Sequence, residues 1–492
     1  LASSFGAVFA GDWLTLIFFW ELMAVTSTLL VWYYRGKAVR AGYRYAIFHG
    51  IGGTLLMAAI LQTYVAKGTF LFASVPGGPE IAGITAGLPA ALAAIGIGVN
   101  VGFIGLHTWL PDTYPRPHIA ASVFLCVFTT KTGVYGMYRA FPDGHVALAY
   151  MGGGMAVFGA TYALFQNDMR RLLSYHIQSQ VGYMIAGVGI GSALSQAGAF
   201  AHVFNHILYK GLLFMTAGVV IYRTGEESLK KLGGLARQMP ITAGAFTIAA
   251  LSIAGFPGFN GFVSKGIVIA GSHYDFAAGP VGVGGRTTLE WLLLLGGVGT
   301  FMSFIKFGYY AFFHGSYDGD VEDANRGQTV AMLTVAALCV GYGIFDSALF
   351  AILPFDVTTE TVVSHAYVTY TVDHLVEGLA LAVAGAIGFA LTKKPLSKLG
   401  RVPDIDSIYN PTMFYGGRGL VVGVTELWAG VDRAVMRTVA TAKRVGSNPQ
   451  AAVERLGVGS ADKPVQLRSG IDRSIFLLVG VVTLLLAVLL LA

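Results

Sequence analysis

Three ionisable residues fall at i, i+4 and i+8 in the run AHVFNHILYKGLLF: His202, His206 and Lys210. On a helix this spacing places all three on one face, a turn apart. Imidazole titrates near neutrality, so a His–His–Lys ladder can hand protons along through intervening water. A His–His metal site is the rival chemistry, but no acidic residue in the same run completes a ligand set. Three more lysines stand in apolar surroundings: Lys131 in FTTKTGVYG, Lys265 in GFNGFVSKG and Lys306 in SFIKFGYY. Glu21 is set among aromatic and aliphatic residues in LIFFWELMAV. A lysine at the centre of a bilayer costs at least about 2.5–3.5 kcal/mol. Such residues therefore need partners, and burial moves lysine and carboxyl groups toward proton exchange near neutral pH. Glu21 is expected to face a lysine on another helix; the bland alternative is a headgroup glutamate. Thr129, Thr130 and Thr132 around Lys131 suit hydration. Lys306 either joins the row or snorkels to an interface. His49 and His176 fall near the ends of apolar runs, where structural roles compete, and His107 in GLHTWLPD stays open.

The elements that must hold these groups are membrane helices. Of 492 residues 55% are apolar and 12% charged, against about 25% charged in an average soluble protein. A spanning helix needs about 20 mostly apolar residues. Such runs occur at about 13–34, 44–66, 86–109, 118–140, 147–166, 173–191, 198–222, 240–271, 289–313, 328–351, 373–391 and 475–492, and residues 1–10 read as the tail of one more. The fold class is all-α: a polytopic membrane protein of about 12–13 transmembrane helices. The 240–271 run is too long for one straight helix. It contains Gly255, Pro257, Gly258 and Gly261, so it should break near its middle, beside a hydrated cavity.

Charge orients the chain. With the loop after the first span inside, inner loops hold sixteen Lys and Arg while outer loops and ends hold Lys67, Arg139 and Arg286. That asymmetry is the positive-inside pattern, and it also accounts for the net charge of +6 without nucleic acid. Nine more basic residues lie in 402–474. The remaining four are Lys131, Lys210, Lys265 and Lys306, all within apolar runs. The segment 402–474 starts turn-rich (Pro403, Asn410, Pro411, Gly416, Gly417). Val421, Val424, Leu427, Val431, Val435 and Val439 then recur every three or four residues, as an amphipathic helix along the inner face requires. Three parts follow: a transmembrane core at 1–391, an inner linker with its amphipathic helix at 392–474, and an anchor at 475–492. The chain opens inside an apolar run without Met, which suggests a processed, truncated or incomplete N-terminus.

Cys126 and Cys339 are the only cysteines. They read as inert buried thiols, and no zinc, iron–sulfur or other cofactor site is expected. The glycine-rich GVGIGSALSQAG lies in an apolar helix without a βαβ setting, and GxxxxGK[ST] is absent, so neither dinucleotide nor ATP chemistry is indicated.

The succession FFWELM, LHTWLPD, TTKTGVYG, NDMRRLLSYHIQSQVGYM, HVFNHILYKGLLF and GFPGFNGFVSK resembles the antiporter-like subunits. These comprise the A-type and D-type members of Mrp cation/proton antiporters, the pumping subunits of complex I, and their membrane-bound hydrogenase equivalents. The resemblance covers about residues 1–390, and SYHIQSQVGYM is most similar to the Mrp D type. It implies two inverted five-helix repeats, each with a broken helix, around a hydrated file of ionisable residues. By position, Glu21 matches the family's lysine-paired glutamate, and Lys131 the lysine or histidine at the centre of the next unit. His202, His206 and Lys210 match the linking ladder, and Lys265 the terminal Lys/Glu position. The pairing lysine's position, 31 residues before Lys131, holds Asn100. Roughly the family's first three helices are missing, and the inner amphipathic helix with its anchor resembles a short lateral arm of the distal complex I subunit.

The resulting expectation is a proton-translocating subunit of a multisubunit prokaryotic cytoplasmic (inner) membrane complex. It would couple protons to cation exchange, sodium included, or to electron transfer in partner subunits. Its partners would be other membrane subunits and lipid. The alternatives are a non-conducting structural scaffold, which Asn100 keeps open, and a solitary solute carrier. The acidic loop Asp318, Asp320, Glu322 and Asp323 reads as solvated.

Overall fold

The computed structural model describes residues 1–72, 83–84, 86–276, 282–359, 363, 365–398, 402–449, 451 and 479–483. Among them no β-strand forms, only two isolated bridges, Asp12 with Leu71 and Asp168 with Ser228. The helices are α1 (Ala2–Val8), α2 (Trp13–Trp32), α3 (Lys37–Lys67), α4 (Gly87–Val101), α5 (Trp109–Thr113), α6 (Ile119–Ala140), α7 (Val146–Phe165) and α8 (Met169–Ile190). There follow α9 (Ala193–Thr224), α10 (Pro240–Ala254), α11 (Asn260–Tyr274), α12 (Thr288–Gly308), α13 (Arg326–Ile344), α14 (Asp346–Phe350), α15 (Val372–Lys398) and α16 (Asp406–Ser447). Eight described helices are long and apolar enough to cross a bilayer, and α4 and α10 are shorter apolar helices. Each expected span before residue 400 coincides with a described helix or a broken pair. The expected anchor at 475–492 lies outside the described residues except for 479–483.

Local chemistry sets the boundaries. The side chains of Asp12, Asp168, Ser192 and Thr287 accept from the backbone N–H three residues on, starting α2, α8, α9 and α12. Asn325 and Gln328 form a reciprocal capping box at α13. Each such cap satisfies a free N–H of the first turn. Two helices stop in mid-run at a glycine in the left-handed region: α4 at Gly102 (φ +76°) and α10 at Gly255 (φ +84°). The chain resumes as α5 and α11, so there are two broken helices. Sequence patterning exposes only the second; the family resemblance implies the first.

α7 and α8 approach most closely. A Cβ at Gly152, Gly159 or Gly182 would run into the backbone of the opposite helix, the small-residue seam by which membrane helices pack without a hydrophobic driving force. α8 is buried on nearly every side although it carries Ser174, His176, Gln178, Ser179 and Gln180. The last turn of α12 widens into a π turn, Tyr309–Phe313.

Residues through Asp406 pack as one unit, and a second begins at Ser407. Within the second, α16 runs from Asp406 straight through Asn410, Pro411, Gly416 and Gly417, which corrects the expected turn-rich start. Pro411 lies inside the helix, where its missing N–H removes one bond, and each glycine costs about 1 kcal/mol. No residue of α16 is buried, Val421, Leu427 and Val435 included.

Candidate functional site

The second helix break sets Lys265 in place. Its Nζ donates to Ile253 O at 2.7 Å and to Ala254 O at 3.5 Å, the last carbonyls of α10. Those carbonyls lack helical partners because Gly255 turns the chain away. They also form the negative end of the helix dipole, which favours a cation. The same ammonium lies 4.8 Å from the centre of the Tyr183 ring, within cation–π range.

From Lys265 a row of buried groups follows α9. His202 Nδ1 lies 3.0 Å from Ser264 Oγ on α11, and its Nε2 3.3 Å from the Tyr209 hydroxyl. His206 is one turn on, with ring centres 6.4 Å apart. Both His206 nitrogens and Lys210 Nζ are buried without a hydrogen-bond partner among the described residues, although Lys210 lies 5.8 Å above the Phe304 ring. Asn205, on the same helix, donates to Asn260 O at 2.8 Å and accepts from Asn260 Nδ2 at 3.2 Å, tying α9 to the start of α11. Lys131 on α6 donates to Cys126 O and to Thr130 Oγ1. The fields of Lys131, Lys210, His202 and Lys265 all reach His206. Buried polar atoms normally find a partner, in ordered water if not in protein, so the unpartnered atoms mark where water would bridge the row.

His176 belongs to this set, although its position near a span end suggests a structural role. It is fully buried, and neither ring nitrogen has a partner among the described residues. Its ring centre lies 4.7 Å from that of Phe304, and Lys210 and Lys265 both act on it. The sequence shows only half of the signal, Ser174, His176, Gln178 and Gln180 in alternation; that the helix is enclosed on all sides comes from its packing.

Two expected members stand elsewhere. Glu21 Oε1 is buried without a hydrogen-bond partner, and no lysine forms an ion pair with its carboxylate among the described residues. The expected lysine pairing is therefore absent; the carboxylate abuts Gly53 of α3 instead. Asn100 is buried on α4. With its amide oriented to satisfy the network, it donates to Thr129 O at 2.7 Å and accepts from Trp20 Nε1 at 2.5 Å. Lys306 caps another helix end. Its Nζ donates to Leu164 O at 2.7 Å and Gln166 O at 2.6 Å, at the C-terminus of α7. Among the remaining histidines, His49 is stacked 3.9 Å from Tyr45. His107 Nε2 lies 3.2 Å from Asp404 Oδ2.

Lys265 also faces a cavity of about 410 Å³ that reaches toward the α11–α12 connection. Glu290, His273, Arg286 and Glu377 line it. Glu290 is 2% exposed and receives Arg286 Nη1 at 2.5 Å, with His273 Nδ1 at 2.9 Å. Arg286 also pairs with Glu377 at 2.7 Å. Spacing alone could not reveal this cluster, because its members come from three helices and a loop.

The arrangement can store protons on closely spaced basic groups and pass them between neighbours. Comparison with known proteins identifies the family. Residues 10–275 match the family described as NADH:quinone oxidoreductase/Mrp antiporter, TM. The D component of the Na(+)/H(+) antiporter of Alkalihalophilus pseudofirmus is 33% identical over 300 residues, 58% of this chain and 61% of that one. Hydrogenase-4 component B of Escherichia coli is 30% identical over 361 residues, 67% of this chain and 52% of that one. The chain thus spans about half to three fifths of the length of these relatives. In fold, it superposes on a chain of the Mrp complex from a Dietzia species with a TM-score of 0.70 at 23% identity, covering 100% of this chain and 51% of the other. It also superposes on a chain of the archaeal membrane-bound sulfane sulfur reductase with a TM-score of 0.65 at 24% identity, covering 99% and 82%. With more than half its residues inside the family's transmembrane region, this multi-pass membrane protein belongs to the NADH:quinone oxidoreductase/Mrp antiporter family.

Proposed function

We propose that the chain is a proton-translocating subunit of a multisubunit complex in a prokaryotic cytoplasmic membrane. Protons move along Lys131, Lys210, His206, His202 and Lys265, with His176 beside the row and Glu21 apart from it. The observation that carries this reading is the continuity of titratable groups between α6 and α11, with partnerless buried nitrogens along it. From Lys265, the cavity holding Glu290 and His273 offers the outward route. The relatives' names supply both coupling modes, cation exchange in Na(+)/H(+) antiporters and electron transfer in dehydrogenase and hydrogenase components. Residues 1–391 would form the conducting core, 392–474 an inner-face segment, and 475–492 an anchor.

The test is proton movement in vesicles holding the purified complex. Lys131→Ala and Lys265→Ala should each abolish ion-coupled proton flux while the complex still assembles. Copurifying subunits decide the coupling: iron–sulfur, flavin or nickel proteins mean a redox complex, and small hydrophobic partners alone mean an antiporter. Asn100 favours a second reading, a scaffold that has stopped conducting, since a neutral amide fills the position where a lysine would pair with Glu21. Undiminished flux in the assembled double variant would establish that reading instead.

A further inference from the structure

At the inner ends of α7, α12 and α15 lies a second cavity, of about 330 Å³. Lys230, Lys306 and Lys393 line it, with His314 and Asn167 between them. No Asp or Glu lines it among the described residues. The lining thus presents three lysines toward one cavity. Lys306 is well placed to receive an anion: two of its three N–H groups are held by Leu164 O and Gln166 O, which aims the ammonium and leaves the third proton. Lys393 stands 5.6 Å over the Tyr309 ring, and the π turn at Tyr309–Phe313 carries Tyr310 into the cavity wall.

Apolar side chains of Leu229, Leu232, Phe389 and Leu396 complete the wall. Beyond it, Val383, Ile387 and Leu391 of α15 stay exposed along the same helix that supplies Lys393. A ligand that fits both features has an anionic head at the lysines and long apolar tails along α15. The positive-inside pattern puts this end of the helices in the inner leaflet, where anionic lipid headgroups meet basic pockets between helices.

We propose that this cavity binds the phosphate headgroup of an anionic phospholipid of the inner leaflet. The proposal does not depend on proton conduction. The test uses the purified complex in phosphatidylcholine nanodiscs with a photoreactive phosphatidylglycerol. Cross-links should map to the segments around 306–314 and 387–396. Added phosphatidylglycerol should compete them away, whereas phosphatidylcholine and inorganic phosphate should not. The variant Lys230→Gln with Lys393→Gln should lower labelling about thirtyfold. The charge-preserving pair Lys230→Arg with Lys393→Arg should retain it and so controls for folding. Equal competition by phosphatidylcholine or by inorganic phosphate would overturn the proposal, as would unchanged labelling in the glutamine variant. Loss of a neighbouring subunit from that variant with labelling intact would assign the lysines to an acidic protein partner and likewise overturn it.

Discussion

The two helix breaks use one backbone device and different donors. At the first, α4 ends at Gly102, and neutral groups serve its terminal carbonyls: Trp109 Nε1 donates to Val99 O at 2.8 Å beside the Gly102 N–H, and Gln178 Nε2 to Gly102 O at 3.0 Å. At the second, α10 ends at Gly255 and a single ammonium, that of Lys265, serves Ile253 O and Ala254 O. Both solve the same problem, since a buried carbonyl without a donor costs about 1–3 kcal/mol. The solutions differ in what else they can do. An indole or an amide holds the break and stores no proton. An ammonium holds it and can give a proton up, and losing the proton weakens its grip on the helix end. Proton chemistry and backbone geometry are therefore joined at the second break and separate at the first, where Asn100 is likewise neutral.

Replacing Lys265 attacks the difference directly. Lys265→Gln retains a donor for Ile253 O but cannot titrate within the working pH range. Proton flux in vesicles should fall about a hundredfold or more, the scale of a lost acid–base group, with thermal stability nearly kept. An equal loss of stability would show that the lysine acts only as a cap.

Asn100→Ala probes the neutral counterpart. It strands the Trp20 indole N–H, while Thr129 O keeps the Thr132 hydroxyl, and should destabilise the chain by about 1–3 kcal/mol, read as a lower unfolding temperature of the complex. Flux per folded molecule should stay within about twofold, because no acid–base group is lost.

A third change concerns the inner end, outside the spans. Burial pushes the Asp404 carboxyl up, but hydrogen bonds from His107 and Tyr175 more than offset this and hold it below the ordinary carboxylate value. Tyr175 OH donates to Asp404 Oδ2 at 2.5 Å, and His107 Nε2 lies 3.2 Å from the same oxygen. A depressed carboxyl stabilises the fold fully above its unfolded value, about 3.9. That stabilisation disappears as pH falls through the lower folded value. Native protein should thus lose stability on acidification below about pH 4, and Asp404→Asn should lack that component of the pH curve while being about 1 kcal/mol less stable at neutral pH.

Glu21→Gln should have the smallest effect. The carboxylate has no ion pair to lose among the described residues, so flux should drop no more than about threefold, against about a hundredfold for a group that carries the proton. A collapse as large as that of Lys265→Gln would erase the distinction between the two breaks.

Part of this is readable without any coordinates. His202, His206 and Lys210 share a face because four residues nearly complete a turn, and that is a local fact. The break at 255–259 is legible because Gly255, Pro257 and Gly258 interrupt an apolar run. The break at 102–108 is not, because its LHTWLPD stretch reads as ordinary loop chemistry at a helix end. Lys306 stays open between the row and an interface, since hydropathy shows that a lysine lies in an apolar run and not which carbonyls surround it. His176 is undervalued for the converse reason: whether α8 sits at an edge or at the centre depends on its neighbours.

The amino-acid sequence alone determined the class, the spans before residue 400 and the ladder on α9. Each of these follows from composition and helical period, which act over one or two turns. Only tertiary structure decided which buried charge meets which partner. It placed Lys265 on α10, Lys306 on α7 and Asn100 on Trp20, left Glu21 without an ion pair among the described residues, and assembled the Glu290 cluster. In a low-dielectric interior a polar group binds whatever donor or acceptor packing brings within about 3 Å, and packing joins helices far apart in the chain.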